Sequence, residues 1–228
     1  MAIQLRSTRD AASDGIKVLV HGPSGAGKTR LCATTGEPTV IISTESGLLS
    51  LREFDIPVID VKSIEQLYEA YDFVAKSAEG QTFRWVCLDS ISEIAEVVLN
   101  AAKKSTKDPR QAYGRLAEQM GDLLRAFRDM PNRNVYFASK QERSKDEATG
   151  AMLYYPSMPG QMMKQGVSYY FDEVFALRVE QGEDGTPQRW LQTQRDYNFE
   201  AKDRSGALAM FEPPSLAAIA SKIKGPAA

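Results

Sequence analysis

Apolar residues along this chain fall into short, nearly unbroken runs separated by longer stretches with helical spacing. The runs are Ile16 to Val20, Thr39 to Ser43, Pro57 to Val61, Phe83 to Leu88, Asn134 to Ser139, Asp172 to Val179 and Arg189 to Thr193. Runs of this kind suit strands buried on both faces of a parallel sheet. Between them, Ile64, Leu67, Tyr68, Tyr71 and Val74 share one helical face, and Ser63 with Gln66 has the spacing of a capping box. Tyr113, Leu116, Ala117, Met120, Leu123, Leu124 and Phe127 make a second such face, which ends before Pro131. Strands alternating with amphipathic helices predict an α/β fold, a mostly parallel central sheet with helices on both faces. The last two strands flank Gly182-Glu183-Asp184-Gly185, which predicts a C-terminal antiparallel hairpin.

The periodicity divides the chain into an N-terminal tail over 1–15, one main domain over 16–212 and a C-terminal helix or tail over 213–228. Two polar stretches carry no clear period. Ala101 to Arg110 holds Lys103, Lys104, Lys107, Arg110 and a proline, and Glu142 to Gln165 holds Tyr154, Tyr155 and four methionines. Long loops inside a compact domain are usually functional or disordered, so these are the places to seek a partner.

Composition narrows the classes. The 228 residues suffice for one substantial domain, and 43% hydrophobic with 25% charged content is ordinary for a soluble globular protein. No apolar run approaches the roughly 20 residues that span a bilayer, so no membrane role is expected. Met1 to Asp14 is too polar for a signal peptide. Cys32 and Cys87, each in an apolar context, read as buried thiols of a cytoplasmic protein, and with one histidine they make no zinc site. A net charge of −2 argues neither for nor against nucleic acid.

The strongest chemical signal is Gly22-Pro23-Ser24-Gly25-Ala26-Gly27-Lys28-Thr29, with Arg30 next. It satisfies G-x-x-x-x-G-K-[ST] directly after a predicted strand, the context that defines a P-loop. Its glycines let backbone N–H groups converge on phosphate oxygens, and a helix beginning near Lys28 would aim its positive end at the same anion. Lys28 can reach the β- and γ-phosphates, and the Thr29 hydroxyl can ligate Mg²⁺. Asp89, closing the Phe83 to Leu88 strand, is the expected partner for that metal, although Asp89 and Ser90 are also good helix caps. Hydrolysis needs a group to orient and deprotonate water. Position 90 is a serine and Glu93 lies a turn further on, whereas Glu45 follows the Thr39 to Ser43 strand where strand ends meet at a ligand crevice.

This order of motifs resembles the RecA-like ATPase core, over roughly Ile16 to Gly206. The chain looks most similar to the small phage-encoded nucleotide-binding proteins of that type, some of which anneal single strands in phage recombination. The resemblance implies an ATPase with ATP and Mg²⁺ as its cofactors and Glu45 as its catalytic glutamate. It implies Gln141, at the end of the next strand, as sensor of the γ-phosphate. It also implies that Lys202 and Arg204, in Lys202-Asp203-Arg204-Ser205-Gly206, reach a neighbouring subunit's γ-phosphate, and hence a homo-oligomer. DNA-binding loops follow the last two of these strands in RecA, where the two unassigned stretches fall, so single-stranded DNA and a recombination partner protein are the implied partners.

Two other functions compete. A nucleotide-gated module that loads or assembles a protein partner could use the methionine-rich Met152 to Met163 as an adaptable surface. A small-molecule kinase would need an arginine-rich lid and an acceptor pocket, and neither is recognisable.

Overall fold

The computed structural model describes residues 15–45, 47–147 and 149–225; the predicted tail over 1–15 lies outside them except for Gly15. Ten strands form, in chain order, β1 (Lys17–Gly22), β2 (Thr39–Ser43), β3 (Val58–Asp60), β4 (Trp85–Asp89), β5 (Asn134–Lys145), β6 (Met152–Pro156), β7 (Glu173–Gln181), β8 (Pro187–Gln192), β9 (Lys202–Asp203) and β10 (Phe211–Glu212). The helices are α1 (Lys28–Leu31), α2 (Ile64–Lys76), α3 (Ile91–Ser105), α4 (Pro109–Arg128), α5 (Gln161–Gly166) and α6 (Leu216–Lys224). The sheet runs β10-β8-β7-β1-β5-β4-β2-β3, with β6 added to β5 and β9 to β7. Strands β3, β2, β4, β5, β1 and β7 are parallel, whereas β8, β10, β6 and β9 pair antiparallel. This is the expected α/β architecture, a mostly parallel sheet with helices on both faces, including the hairpin, whose turn closes with Gly185 N–H donating to Gly182 O.

The apolar runs lack alternation because both faces are covered. Leu19, Ile42, Leu88 and Phe137 point into one core with α2, α3 and α4. Val18, Val20, Ile41, Cys87 and Tyr136 point into a second, with Leu31, Cys32 and α6. Full burial of a large side chain contributes about 1.5–3 kcal/mol, so these paired layers fix the strand ends that build the site. Cys32 and Cys87 are free and buried in the second core, and burial pushes the Cys32 thiol well up.

Half of the expected capping box opens α2: Ser63 Oγ accepts from Gln66 N–H at 3.3 Å, whereas Gln66 Oε1 accepts from Lys62 N–H, one residue before the cap, at 2.8 Å. Contrary to the loop expectation, most of the described residues of the two unassigned stretches lie in helices and strands. Ala101 to Ser105 is the last turn of α3, and Pro109 begins α4 behind an Asp108 cap that accepts from Arg110 N–H at 2.9 Å. Proline starts this helix because the first turn needs no N–H from it. From Glu142 onward the chain continues β5, turns at Asp146 to Gly150, returns as β6 and enters α5. Met158 and Met163 are buried in the first core, which withdraws them from the adaptable surface predicted for Met152 to Met163. Among the described residues no helix is long and apolar enough to cross a membrane.

Candidate functional site: a phosphate-binding loop and its acidic wall

The parallel register brings four strand ends to one place. Gly22 pairs with Lys140, Ser43 with Asp89, and Asp89 with Ala138. The loop after β1 therefore faces the ends of β2, β4 and β5 across a cavity of about 610 Å³. Gly22 to Gly25, Gly27 to Thr29, Glu45, Asp89, Ser90, Lys140 and Gln141 line it. Gly25 and Gly27 have φ of 75° and 108°, a region open to glycine and strained for other residues. Arg189 in β8 donates from Nε to Ala26 O at 2.9 Å and so braces the back of the loop. Helix α1 has four residues and continues as three of 3₁₀ helix, so anion binding rests on the loop amides and Lys28 more than on a helix dipole.

Lys28 Nζ donates to Gly22 O at 2.8 Å and Pro23 O at 2.9 Å, which leaves one of its three donors for a ligand. Burial holds its pKa below the ordinary lysine range, with Asp89 and Glu45 pulling the other way. Thr29 Oγ1 donates to Asp89 Oδ2 at 2.5 Å. Burial raises the Asp89 pKa and Glu45 raises it further, while the Thr29 hydrogen bond and Lys28 oppose. Among the described residues no group of three or more His, Cys, Asp or Glu could hold a metal ion. The Thr29 hydroxyl beside the single Asp89 carboxylate nevertheless fits Mg²⁺, which commonly takes one carboxylate and completes its shell with phosphates and water.

Ser90 resolves the competing cap reading of Asp89. Its Oγ accepts from Glu93 N–H at 3.4 Å and so caps α3, leaving Asp89 to face Thr29. The same Ser90 hydroxyl donates to Glu45 Oε1 at 2.9 Å, and Thr44 N–H donates to Asp89 O at 3.1 Å. Glu45 is thereby tied to the end of β4. Arg30 lies outside this cavity, in a second one of about 480 Å³ with Gly25, Thr34, Ser50 and Pro214, where it pairs with Glu53 at 2.7 Å.

Lys202 and Arg204 stand elsewhere. Strand β9 pairs with the start of β7, the end of the sheet remote from the phosphate loop. Lys202 Nζ donates to Ser168 O at 2.8 Å and Phe171 O at 2.5 Å, and Arg204 pairs with Asp172 at 2.9 Å.

Reading the sequence alone misses the burial of His21, the last residue of β1 before Gly22. Its Nε2 donates to Glu200 O at 2.7 Å, while His21 Nδ1 and Gln141 Oε1 are both buried with no hydrogen-bond partner. A carbonyl only accepts, so Nε2 carries the proton of a neutral ring. Burial lowers the His21 pKa to about 4, against the opposing pull of the Glu200 carbonyl and the Gln141 side chain. The sign follows from linkage: an unfolded histidine takes its proton near 6.5, whereas the folded one waits until about 4. Stability is therefore present above pH 6.5 and is lost as pH falls toward 4. Acid denaturation of His21→Asn should lack this component. Parallel curves for the variant and the parent across that window would count against it.

A P-loop between β1 and α1, facing Asp89 at the end of β4, is the arrangement of a P-loop nucleoside triphosphatase. The AAA domain family's sequence profile matches residues 14–205. The chain belongs to that family. No curated protein matches it. Among solved structures, one titled "Crystal structure of the RadB recombinase" is similar at 12% identity over 79% of this chain and 89% of that one, with a TM-score of 0.45.

Proposed function

We propose that the protein is a Mg²⁺-dependent ATPase that acts on single-stranded DNA, in the recombination or annealing of phage DNA. One observation carries the enzymatic half: Lys28, the Thr29–Asp89 pair and the Ser90-held Glu45 converge on one cavity. The loop amides and Lys28 bind the β- and γ-phosphates. Mg²⁺, held by Thr29 and Asp89, would neutralise charge on the transferring phosphoryl group. Glu45 orients a water and takes its proton, and Gln141 lies at the same wall to register the γ-phosphate. The nucleoside extends into the second cavity, toward Arg30 and Thr34. No Asn-Lys-x-Asp motif is present to read guanine, which favours ATP.

The DNA half rests on surface chemistry and on the resemblance. Lys103, Lys104, Lys107 and Arg110 crowd the exposed α3–α4 corner, and Arg143 and Lys145 are exposed on the far end of β5. Tyr113 is 41% exposed under Lys103, whereas Tyr154 stacks on Phe199 at 4.6 Å and Tyr155 is half-buried. Tyr113 is thus the better placed of the three for a base. Lys202 and Arg204 lie too far along the sheet to serve their own cavity, so a role at the γ-phosphate requires a second copy of the chain.

The test is steady-state ATP turnover with and without single-stranded DNA over a range of salt. Turnover should require Mg²⁺ and rise with DNA, and the rise should fade as salt screens phosphate contacts. Turnover indifferent to DNA at every salt removes the DNA half. No turnover with folded protein removes the enzymatic half.

A further inference from the structure

We propose that Lys140 is a second cation for the triphosphate, held in reserve on Glu93 until a γ-phosphate draws it across. The inference rests on the nucleotide site proposed above. Lys140 stands beside Gly22 in register, one strand from the start of the phosphate loop. Its backbone is fixed at both ends: its N–H donates to Ser92 Oγ at 2.9 Å, and its carbonyl accepts from Ser157 N–H at 2.7 Å. The side chain is 51% exposed and ends in an ion pair with the Glu93 carboxylate. A rigid base with a free arm is what a movable charge needs.

Lys140 lines both the nucleotide cavity and a smaller polar one of about 270 Å³ that contains Glu93 and Glu96. Its amine therefore has two destinations without any backbone change. Lys28 and Lys140 are the only basic residues among those lining the nucleotide cavity, against the carboxylates of Asp89 and Glu45. A γ-phosphate entering beside Glu45 adds negative charge where Lys28 alone is already shared with the loop carbonyls. Part-exposed ion pairs contribute little, so the Lys140–Glu93 pair yields readily to a multiply charged competitor. The pairing raises the Lys140 pKa, so the amine stays fully charged at neutral pH. A diphosphate ends before this point, so Lys140 should favour triphosphate over diphosphate.

Calorimetric titration of the full chain with Mg·ADP and with a slowly hydrolysed thio-analogue of Mg·ATP tests this on Lys140→Ala, Lys140→Arg and Glu93→Gln. Lys140→Ala should bind the triphosphate about tenfold more weakly, the loss of one charge-assisted hydrogen bond, with ADP affinity kept. Lys140→Arg should restore most of the difference, and Glu93→Gln, which frees the amine, should tighten triphosphate binding alone. If Lys140→Ala leaves the triphosphate-to-diphosphate preference unchanged, or weakens both equally, the inference is wrong while the ATPase reading stands. A parent chain that binds neither nucleotide overturns the ATPase reading, and this inference with it.

Discussion

Replacing Lys28 with alanine is expected to remove measurable binding of Mg·ATP. The amine is already oriented by Gly22 O and Pro23 O and keeps one donor for the phosphates. Truncating one partner of a buried hydrogen-bonded charge pair costs roughly 2–5 kcal/mol, a factor of about 30 to several thousand in affinity. The fold should barely notice. Burial disfavours the charged lysine, while Asp89 and Glu45 favour it, so the two effects of removal oppose each other. Calorimetry should show no heat from Mg·ATP, with a melting temperature within about 3 °C of the parent's. Retained affinity would remove Lys28 from the phosphate site. A collapsed melting temperature would make it a strut of the loop instead of a ligand.

Exchanging Glu45 for glutamine should do the reverse, preserving affinity and removing turnover. The amide is isosteric and can still accept from the Ser90 hydroxyl, which the carboxylate does at 2.9 Å. What disappears is the base. General-base groups contribute roughly 10²–10⁴ in rate, so kcat should fall by at least about a hundredfold while nucleotide affinity holds. Equal loss of binding and turnover would assign Glu45 to holding nucleotide. Unchanged turnover would leave the water to another group, with Glu93 the nearest acid after Ser90 in sequence.

How much of this was legible in the sequence depends on where each signal lives. The glycine spacing from Gly22 to Thr29 is local, and so is the run that ends at Asp89; both stand where their strands predicted. Glu45 was placed from the end of a strand. Helix α3 was expected only as the helix that Asp89 or Ser90 could cap, and its end from Ala101 to Ser105 was left unassigned because Lys103, Lys104 and Ser105 are polar and exposed. The proline of that stretch, Pro109, is the first residue of the next helix. The polar stretch after Glu142 hid a hairpin because β5 there projects beyond the sheet, where neither face is deeply buried and alternation vanishes. Ser90 with Glu45, Glu93 with Lys140, and His21 with Glu200 join residues 45 to 179 positions apart. No window of sequence contains both members of such a pair.

Helix α6 has a consequence for handling the molecule. Leu216 and Ile219 sit in the core beneath the P-loop turn, and Leu216 N–H donates to Thr34 Oγ1 at 2.9 Å. Thr34 and Pro214 both line the second cavity, where the nucleoside is proposed to lie. Pro214, just ahead of α6, and Thr34, which α6 grips, thus tie this helix to the wall of that cavity. Thermodynamic reciprocity then makes docking of that wall and nucleotide occupancy support each other. A bulky fusion that levers the helix away would loosen the compartment without touching a single phosphate contact.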